Sequence, residues 1–147
     1  MKRNILFYIF SVCLLMTGLS ACSLEHDESG KLGGFWHLVS IDSLGKGGVA
    51  DLSNEYYFWS IQGNILEVSN VPVNERIIFR YEHKNDSLLL REPRINNRRL
   101  SDTLITDIRT LLPYGLTQLE ERFSVEALSH SKMVLRSKKL ELRFKSF

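Results

Sequence analysis

The sequence predicts an all-β fold, an eight-stranded up-and-down barrel with one short helix between strands five and six. Downstream of Gly33, short segments of alternating polarity are separated by turn residues, as in small barrels. Neighbouring segments pair with their apolar side chains on one common face, and a single stretch has helical spacing. The predicted strands span 35–42, 55–62, 65–70, 76–83, 87–93, 123–128, 132–137 and 140–147.

The first clear hairpin turns at residues 63–64, where Gly-Asn is a two-residue turn signal between two alternating runs. A two-residue loop at that point pairs Ile61 with Leu66 and Trp59 with Val68. These four side chains fall on one face, and the opposite face receives mostly polar residues. The first face is therefore predicted to be the buried one.

The remaining hairpins extend the same buried face. The closing hairpin pairs Leu135 with Leu142 on the inner face and Arg136 with Glu141, an opposite-charge pair, on the outer face. The predicted inner set, with the first hairpin included, is Tyr57, Trp59, Ile61, Leu66, Val68, Ile77, Phe79, Tyr81, Leu90, Phe123, Val125, Met133, Leu135, Leu140, Leu142 and Phe144. Leu89 is a misfit, because this register turns it outward.

One segment breaks the strand pattern. Five apolar residues at 104, 105, 108, 111 and 112 follow helical spacing, and Ser101 or Asp102 can cap the start. Pro113 and Gly115 follow the end. We predict one helix over residues 102–112 that lies across the barrel wall or one of its ends.

The first 22 residues have the composition of an export signal. Lys2 and Arg3 precede an apolar run over residues 5–19, which is shorter than the roughly 20 residues that span a bilayer. The run ends in Leu19-Ser20-Ala21-Cys22, which resembles the lipobox of bacterial lipoproteins. The resemblance implies cleavage after Ala21 and acylation of Cys22, with palmitate as a typical acyl group. The alternative is an ordinary secretory signal followed by a chance cysteine.

This pattern divides the chain into a signal peptide at 1–21, an acidic tether at 22–32 and a barrel domain at 33–147. Ser23, rather than Asp, follows the cysteine, so the resemblance favours the outer membrane. Glu25, Asp27 and Glu28 resemble an acidic stretch that directs some lipoproteins to the cell surface, although they equally suit a plain solvated tether. The expected location is the cell envelope, on the outer membrane, periplasmic or surface-exposed.

Charge and cysteine content exclude several classes of function. Lys2 and Arg3 leave with the leader, so 19 − 2 = 17 basic residues face 17 acidic ones, and the mature domain is neutral. A neutral domain without a basic cluster argues against nucleic-acid binding. Cys22 is the one cysteine after the leader, so the mature chain is not expected to form an internal disulfide or a cysteine-based metal site.

The start of the first strand carries a family resemblance. Gly34-Phe35-Trp36, together with the stretches 57–64, 113–115, 132–135 and 140–144, resembles the lipocalin-like domain of bacterial lipoproteins. The resemblance implies that Gly34 and Trp36 are a structural motif, with Trp36 closing one end of the barrel. It also implies a basic residue of the last strand over Trp36. Arg143 is the nearest candidate, but the hairpin register turns Arg143 outward.

The barrel interior is the predicted functional region. Tyr57, Trp59, Phe79 and Tyr81 are candidates for binding a small apolar or amphipathic ligand, with the phenolic hydroxyls orienting it. An eight-stranded barrel either holds one small ligand or is filled by its own side chains, and the sequence leaves both open. If there is a pocket, the glycine-rich loop 45–54 is the expected lid.

No motif with catalytic spacing is found, and His37, His83 and His130 fall on separate elements, so we expect no enzyme activity, no metal site and no cofactor. The first functional hypothesis is a non-catalytic, lipid-anchored binding module. The second is a solid barrel that docks onto another envelope component through outward apolar residues, for which Phe58, Ile78 and Leu89 are candidates. An enzyme active at the barrel mouth is the third.

Overall fold

The computed structural model describes residues 30–96 and 102–147, which form one antiparallel sheet closed on itself. Its ten strands are β1 (Gly34–Ser43), β2 (Val49–Asp51), β3 (Tyr57–Gln62), β4 (Ile65–Asn70), β5 (Glu75–Lys84), β6 (Ser87–Ile95), β7 (Thr103–Leu104), β8 (Glu121–Leu128), β9 (Lys132–Arg136) and β10 (Leu140–Ser146). Three short 3-10 turns span Gly30–Leu32, Ile108–Thr110 and Leu112–Tyr114.

Eight of these strands form the barrel wall, in the order β10-β9-β8-β6-β5-β4-β3-β1, and β1 pairs with β10 to close it. The two-residue β7 pairs with the end of β6, and β2 pairs with the upper half of β1. The predicted eight-stranded barrel is therefore confirmed. The predicted hairpin registers are also confirmed, including Trp59 with Val68, Leu135 with Leu142 and Tyr81 with Leu90.

The predicted inner face forms the core of the barrel. Most of its members are buried in one continuous cluster, and Tyr57, Tyr81, Val125 and Leu140 pack against that cluster while partly exposed. Because side chains alternate along each strand, a correct register fixes the facing of the residues on either side of the irregularities at 38–40, 78–80 and 125–127. Leu89 does point outward, as its register with Glu82 and Arg122 requires, yet only 8% of it is exposed.

The helical segment between the fifth and sixth wall strands is present, but its bounds and type differ from the prediction. The predicted helix over 102–112 is replaced by the strand β7 and the two 3-10 turns that end at Tyr114. Leu104 and Leu112, two of the five residues with helical spacing, are 48% and 49% exposed. A regular helix would have buried them with their neighbours, so the spacing did not reflect one apolar stripe.

This irregular segment closes one end of the barrel, and we call residues 103–116 the cap. Leu111, Tyr114 and Leu116 are fully buried and belong to the barrel core. The chain then returns to β8 through Glu121, whose buried carboxylate accepts hydrogen bonds from the backbone N–H of Thr117 at 2.7 Å and from its hydroxyl at 3.0 Å. The cap is thus held by its apolar side chains in the barrel core and by the hydrogen bonds between Glu121 and Thr117, where the chain leaves it.

The opposite end is closed by the motif at the start of β1. The indole N–H of Trp36 donates to the carbonyl oxygen of Leu32 at 2.9 Å, and Leu32 is fully buried. Gly34, at φ +143°, lies against the ring, and a Cβ there would come within 3.5 Å of the Trp36 indole nitrogen. Leu32 was assigned to the tether, but the packing of the domain already begins there.

Arg143 lies on the outer face, as its register predicts, and does not cover Trp36. Its guanidinium bonds Asp42 of β1 at 3.2 Å and also pairs with Glu141, which Arg136 contacts from the other side. The basic residue that the family resemblance implied over Trp36 is therefore not supplied by Arg143.

The predicted signal peptide and most of the predicted tether lie outside the described residues. Among the described residues, no helix has the length and apolar character needed to cross a membrane.

Replacing Gly115 tests how tightly the cap packs on the barrel. Gly115 has φ +82°, and a Cβ there would meet a methyl carbon of Leu142 at 2.5 Å. Gly48 has a similar φ of +78°, and a Cβ there would meet no atom within 4 Å, so its replacement by Ala measures the backbone cost alone. We expect Gly48→Ala to lower the free energy of unfolding by about 1–2 kcal/mol and Gly115→Ala by about 1–3 kcal/mol more, from overpacking. Urea unfolding measures both, and equal losses would show that Leu142 yields without cost.

Candidate functional site

The barrel lumen is filled by its own side chains. Trp59, Phe123 and Phe144 are at most 1% exposed, and Phe79 is 2% exposed. The ring centroids of Phe123 and Phe144 lie 6.0 and 5.0 Å from that of Trp59, both in edge contact with the indole. These large rings occupy the middle of the barrel, with the cap above them and Trp36 below.

Trp59 carries an unusual polar atom for such a position. Among the described residues, its indole nitrogen is the one fully buried side-chain nitrogen or oxygen atom that has no hydrogen-bond partner. Trp36, its direct neighbour across β1 and β3, has its own N–H satisfied by Leu32. An unpaired buried donor costs about 1–3 kcal/mol. The lumen therefore contains one unused donor in an apolar, aromatic surrounding.

The other predicted ligand-binding residues lie at different positions along the barrel axis. Tyr57 is half-buried beneath the cap, where its ring meets Tyr114 edge-on at a centroid distance of 5.5 Å. Tyr81 lies towards the opposite end and donates its hydroxyl proton to the carbonyl oxygen of Gly63 at 2.6 Å. Trp59 and Phe79 share the core between them. The structure thus does not bring the four residues together around one open cavity.

A polar contact that joins the cap to β5 was not predicted from the sequence. The hydroxyl of Tyr114 donates to a carboxylate oxygen of Glu75, at the start of β5, at 2.7 Å. Burial, and then the hydrogen bond and negative charge of Glu75, raise the pKa of Tyr114 well above its ordinary value. The two residues are 39 apart in sequence. The Pro-Tyr-Gly stretch marked a turn, but nothing local pointed to its partner.

The loop 45–54, the expected lid, is partly held in place. Its strand β2 pairs with Ser40, Ile41 and Asp42 of β1. The backbone N–H of Leu52 donates to the carbonyl oxygen of Val39 at 2.9 Å, and the Leu52 side chain packs on the core. The part of the molecule that covers the barrel mouth is therefore the cap as well as this loop.

Two depressions open on the outside of the barrel. One, of about 380 Å³, crosses β4, β5 and β6 and is lined by Asn64, Ile65, Ile78, Phe79, Arg80, Glu92, Arg94 and Asp102. In it, Glu92 has the left-handed φ of +53° and pairs with two exposed arginines, Arg80 and Arg94. The other, of about 250 Å³, lies where the chain enters the barrel, beside Phe35, Trp36, Ser129 and His130.

The outward apolar residues differ from those expected at an exposed patch. Phe58 is only 4% exposed because Phe35 stacks on it at 4.9 Å and Phe147 meets it edge-on at 5.1 Å. Leu89 is covered as well, and Ile78 is half-buried. The prediction that Phe58 and Leu89 form an exposed patch is therefore wrong. Phe35 and Phe147, at 39% and 80% exposure, are the accessible rings.

The described residues hold no cluster of three or more histidine, cysteine or carboxylate side chains that could bind a metal ion.

The raised pKa of Tyr114 makes a prediction for alkaline stability. Above pH 10.0, the ordinary tyrosine value, the unfolded chain releases this proton while the folded chain retains it. Its contribution to stability is thus present below pH 10.0 and is lost as the pH rises further, at up to about 1.4 kcal/mol per pH unit. Tyr114→Phe should make the decline less steep. Tyr56→Phe, at a position 57% exposed, is the control and should leave the slope as in the wild type. Denaturant unfolding between pH 8 and about 11 measures it, and identical slopes for wild type and Tyr114→Phe would contradict the assignment.

Two solved structures share this architecture. A lipocalin-like protein from Bacteroides uniformis ATCC 8492 aligns with a TM-score of 0.59 and 17% identity, covering 80% of this chain and 100% of that one. An uncharacterized protein from Bacteroides eggerthii DSM 20697 aligns with a TM-score of 0.55 and 18% identity, covering 78% of this chain and 98% of that one. At these identities the likeness concerns the fold.

Among curated proteins, none matches the chain significantly. The sequence model of the lipocalin-like domain, in contrast, matches residues 14–147, which include the whole barrel and its cap. This match agrees with the closed eight-stranded barrel and with the Gly-x-Trp motif at the start of its first strand. The chain belongs to the lipocalin-like domain family.

Proposed function

We propose that the protein is a lipid-anchored module of the cell envelope that binds one small apolar or amphipathic molecule in its barrel and performs no catalysis. The lipocalin-like barrel is consistent with such a role. The observation that carries the ligand proposal is the buried Trp59 N–H without an acceptor. A ligand oxygen in the lumen would pair with it and remove its desolvation cost.

The surroundings of Trp59 define the class of ligand. The indole is flanked by Phe123 and Phe144, so the body of the ligand must be apolar. One carbonyl, ether, hydroxyl or carboxyl oxygen suffices to accept the indole proton. A small amphipathic molecule with a single oxygen-bearing group has this combination.

The cap is the expected route into the lumen. Its two-residue strand makes few ladder bonds, and the hydroxyl of Tyr114 bonds the cap to Glu75 of the wall. Leu111, Tyr114 and Leu116 fill the upper lumen, so a ligand would take their place when the cap lifts. Lifting the cap exposes these buried side chains, so the open state is expected to be a minor population that a bound ligand stabilises.

The filled lumen supports a second candidate. With Trp59, Phe123 and Phe144 almost fully buried and both ends closed, the barrel is solid in this state. A solid barrel would serve as a structural or interaction protein that docks onto another envelope component. It predicts that no small molecule enters.

Exchange of Trp59 discriminates the two candidates. We expect native mass spectrometry to detect a one-to-one adduct with at least one probe among a fatty acid, a bile acid, haem and a sterol. Trp59→Phe removes the donor and should weaken binding about 2- to 10-fold, the worth of one neutral hydrogen bond. Trp36→Phe is the matched control, because its N–H is already bonded to Leu32, and should leave the affinity unchanged. No adduct with any probe would favour the solid barrel.

Substitution of each of the two cysteines tests the proposed lipid anchor. We expect labelled palmitate to enter the wild-type chain and Cys13→Ser, but not Cys22→Ser, because acylation is assigned to Cys22 alone. Cys22→Ser should also accumulate as uncleaved precursor. A Cys22→Ser chain that is cleaved as efficiently as the wild type, with no label in either, would indicate an ordinary secretory signal instead.

A further inference from the structure

The outer face at the chain-entry end combines aromatic rings with unpaired lysines. We define the tether-end face by Phe35, Phe58, Phe147, Lys132, Lys145 and Lys31. Phe35 stacks on Phe58, and Phe147 meets both rings edge-on, with centroid distances of 5.6 and 5.1 Å. The backbone N–H of Phe147 donates to the carbonyl oxygen of Phe35 at 3.0 Å, so the chain terminus is held in this cluster.

A row of basic side chains runs beside the rings. His37 of β1 lies opposite Lys145 of β10, and Lys145 lies opposite Lys132 of β9. All three alternate with core residues along their strands and therefore point outward. Lys145 and Lys132 are like charges placed directly opposite each other on neighbouring strands, an arrangement that is destabilising, so this pair has no evident role in the fold.

Nearer the cap end of the same strands, the charged side chains are arranged differently. Arg143 pairs with Asp42 and Glu141, and Arg136 pairs with Glu141, so the cations there have partners within the molecule. Among the described residues, no ion pair involves Lys31, Lys132 or Lys145. Within residues 30–96 and 102–147, these three lysines thus lack the carboxylate partners that the two arginines have.

The position of the chain entry adds an independent observation. Gly30, which lines the depression beside Phe35, follows Cys22 by only eight residues. Eight residues span at most about 28 Å when fully extended. An acyl anchor on Cys22 would therefore keep the tether-end face close to the bilayer and the cap end far from it.

From these observations we propose that the tether-end face docks on an anionic phospholipid surface, with Phe35 and Phe147 entering the interface and Lys31, Lys132 and Lys145 facing the phosphates. The inference rests on the proposed membrane attachment and does not depend on ligand binding in the lumen. Aromatic rings and basic side chains together form the composition that lies in a bilayer interface. Docking would leave the cap directed away from the membrane.

The test is hydroxyl-radical footprinting of the full chain with its own anchor. The protein is reconstituted in vesicles of phosphatidylethanolamine and phosphatidylglycerol, in vesicles of phosphatidylcholine, and in detergent. The extent of oxidation of Phe35 and Phe147 should decrease only in the sample with anionic vesicles. Val71, Val73 and Leu112, exposed at the cap end, should stay equally reactive in all three samples.

Charge reversal supplies a matched pair of variants. Lys132→Glu with Lys145→Glu should abolish the protection of both rings. Each lysine near an anionic surface strengthens contact about fivefold, so loss of the two weakens contact at least about 25-fold. Lys138→Glu with Lys139→Glu makes the same change of charge in the turn at the cap end and should keep the protection. Low oxidation of buried Met133 shows in each sample that the barrel is folded.

Two results would overturn the proposal. Equal oxidation of Phe35 and Phe147 on anionic vesicles and in detergent would exclude membrane docking and leave a protein as the occupant of this face. Equal protection on phosphatidylcholine would exclude the assignment of an anionic surface. Because the mass of the same sample reports whether Cys22 carries a lipid, failure of the anchor and failure of the docking are seen separately.

Discussion

Closure of the sheet, by pairing of β1 with β10, is the constraint on which the rest of the structure depends. It removes both open edges and fixes the number of wall strands at eight. A barrel of this size has an interior about as wide as the side chains that point into it. The inward residues must therefore either fill that space or share it with one small molecule, and the question of ligand binding follows from that choice.

The two ends of the barrel are closed by different kinds of contact. At one end Trp36 and Leu32 form a local plug, which the Gly-x-Trp motif builds from neighbouring residues. At the other end, residues far along the chain cross the opening and place Leu111, Tyr114 and Leu116 into the core. A plug made by the strand itself is part of the wall, whereas a segment fastened by a few distant contacts can separate from it. The cap end is therefore the end at which the proposed ligand would enter.

The outer surface has a corresponding asymmetry. Towards the cap end, Arg136 and Arg143 are bonded to carboxylates of the barrel, and among the described residues the tether-end lysines form no ion pair. Exposed rings and lysines at the tether end and a separately built cap at the other end suit the proposed arrangement, in which the protein faces a membrane with one end and admits a ligand at the other. Trp59, between the two ends, has the donor that a ligand would use.

The hairpins, and with them most of the barrel, follow from the order of residues along the chain. Within a hairpin the turn fixes the register, and the alternation of polar and apolar residues fixes the facing, so Trp59 opposite Val68 and Leu135 opposite Leu142 follow from local information. The same reasoning identified Trp59 and Phe79 as inward residues. It could not show whether the space between them was open, because packing density depends on every wall strand at once.

Long-range contacts, in contrast, account for the cap, the covered rings and the unpaired donor. Helical spacing over 102–112 was a local signal, but the segment had to cross the barrel mouth and pair with β6, and those contacts replaced a regular helix with short turns. Phe58 is buried because the chain terminus returns to it, and Asp42 meets Arg143 across 101 residues of sequence. Contacts between residues this far apart leave no periodic trace along the chain, since they exist only after the sheet has closed.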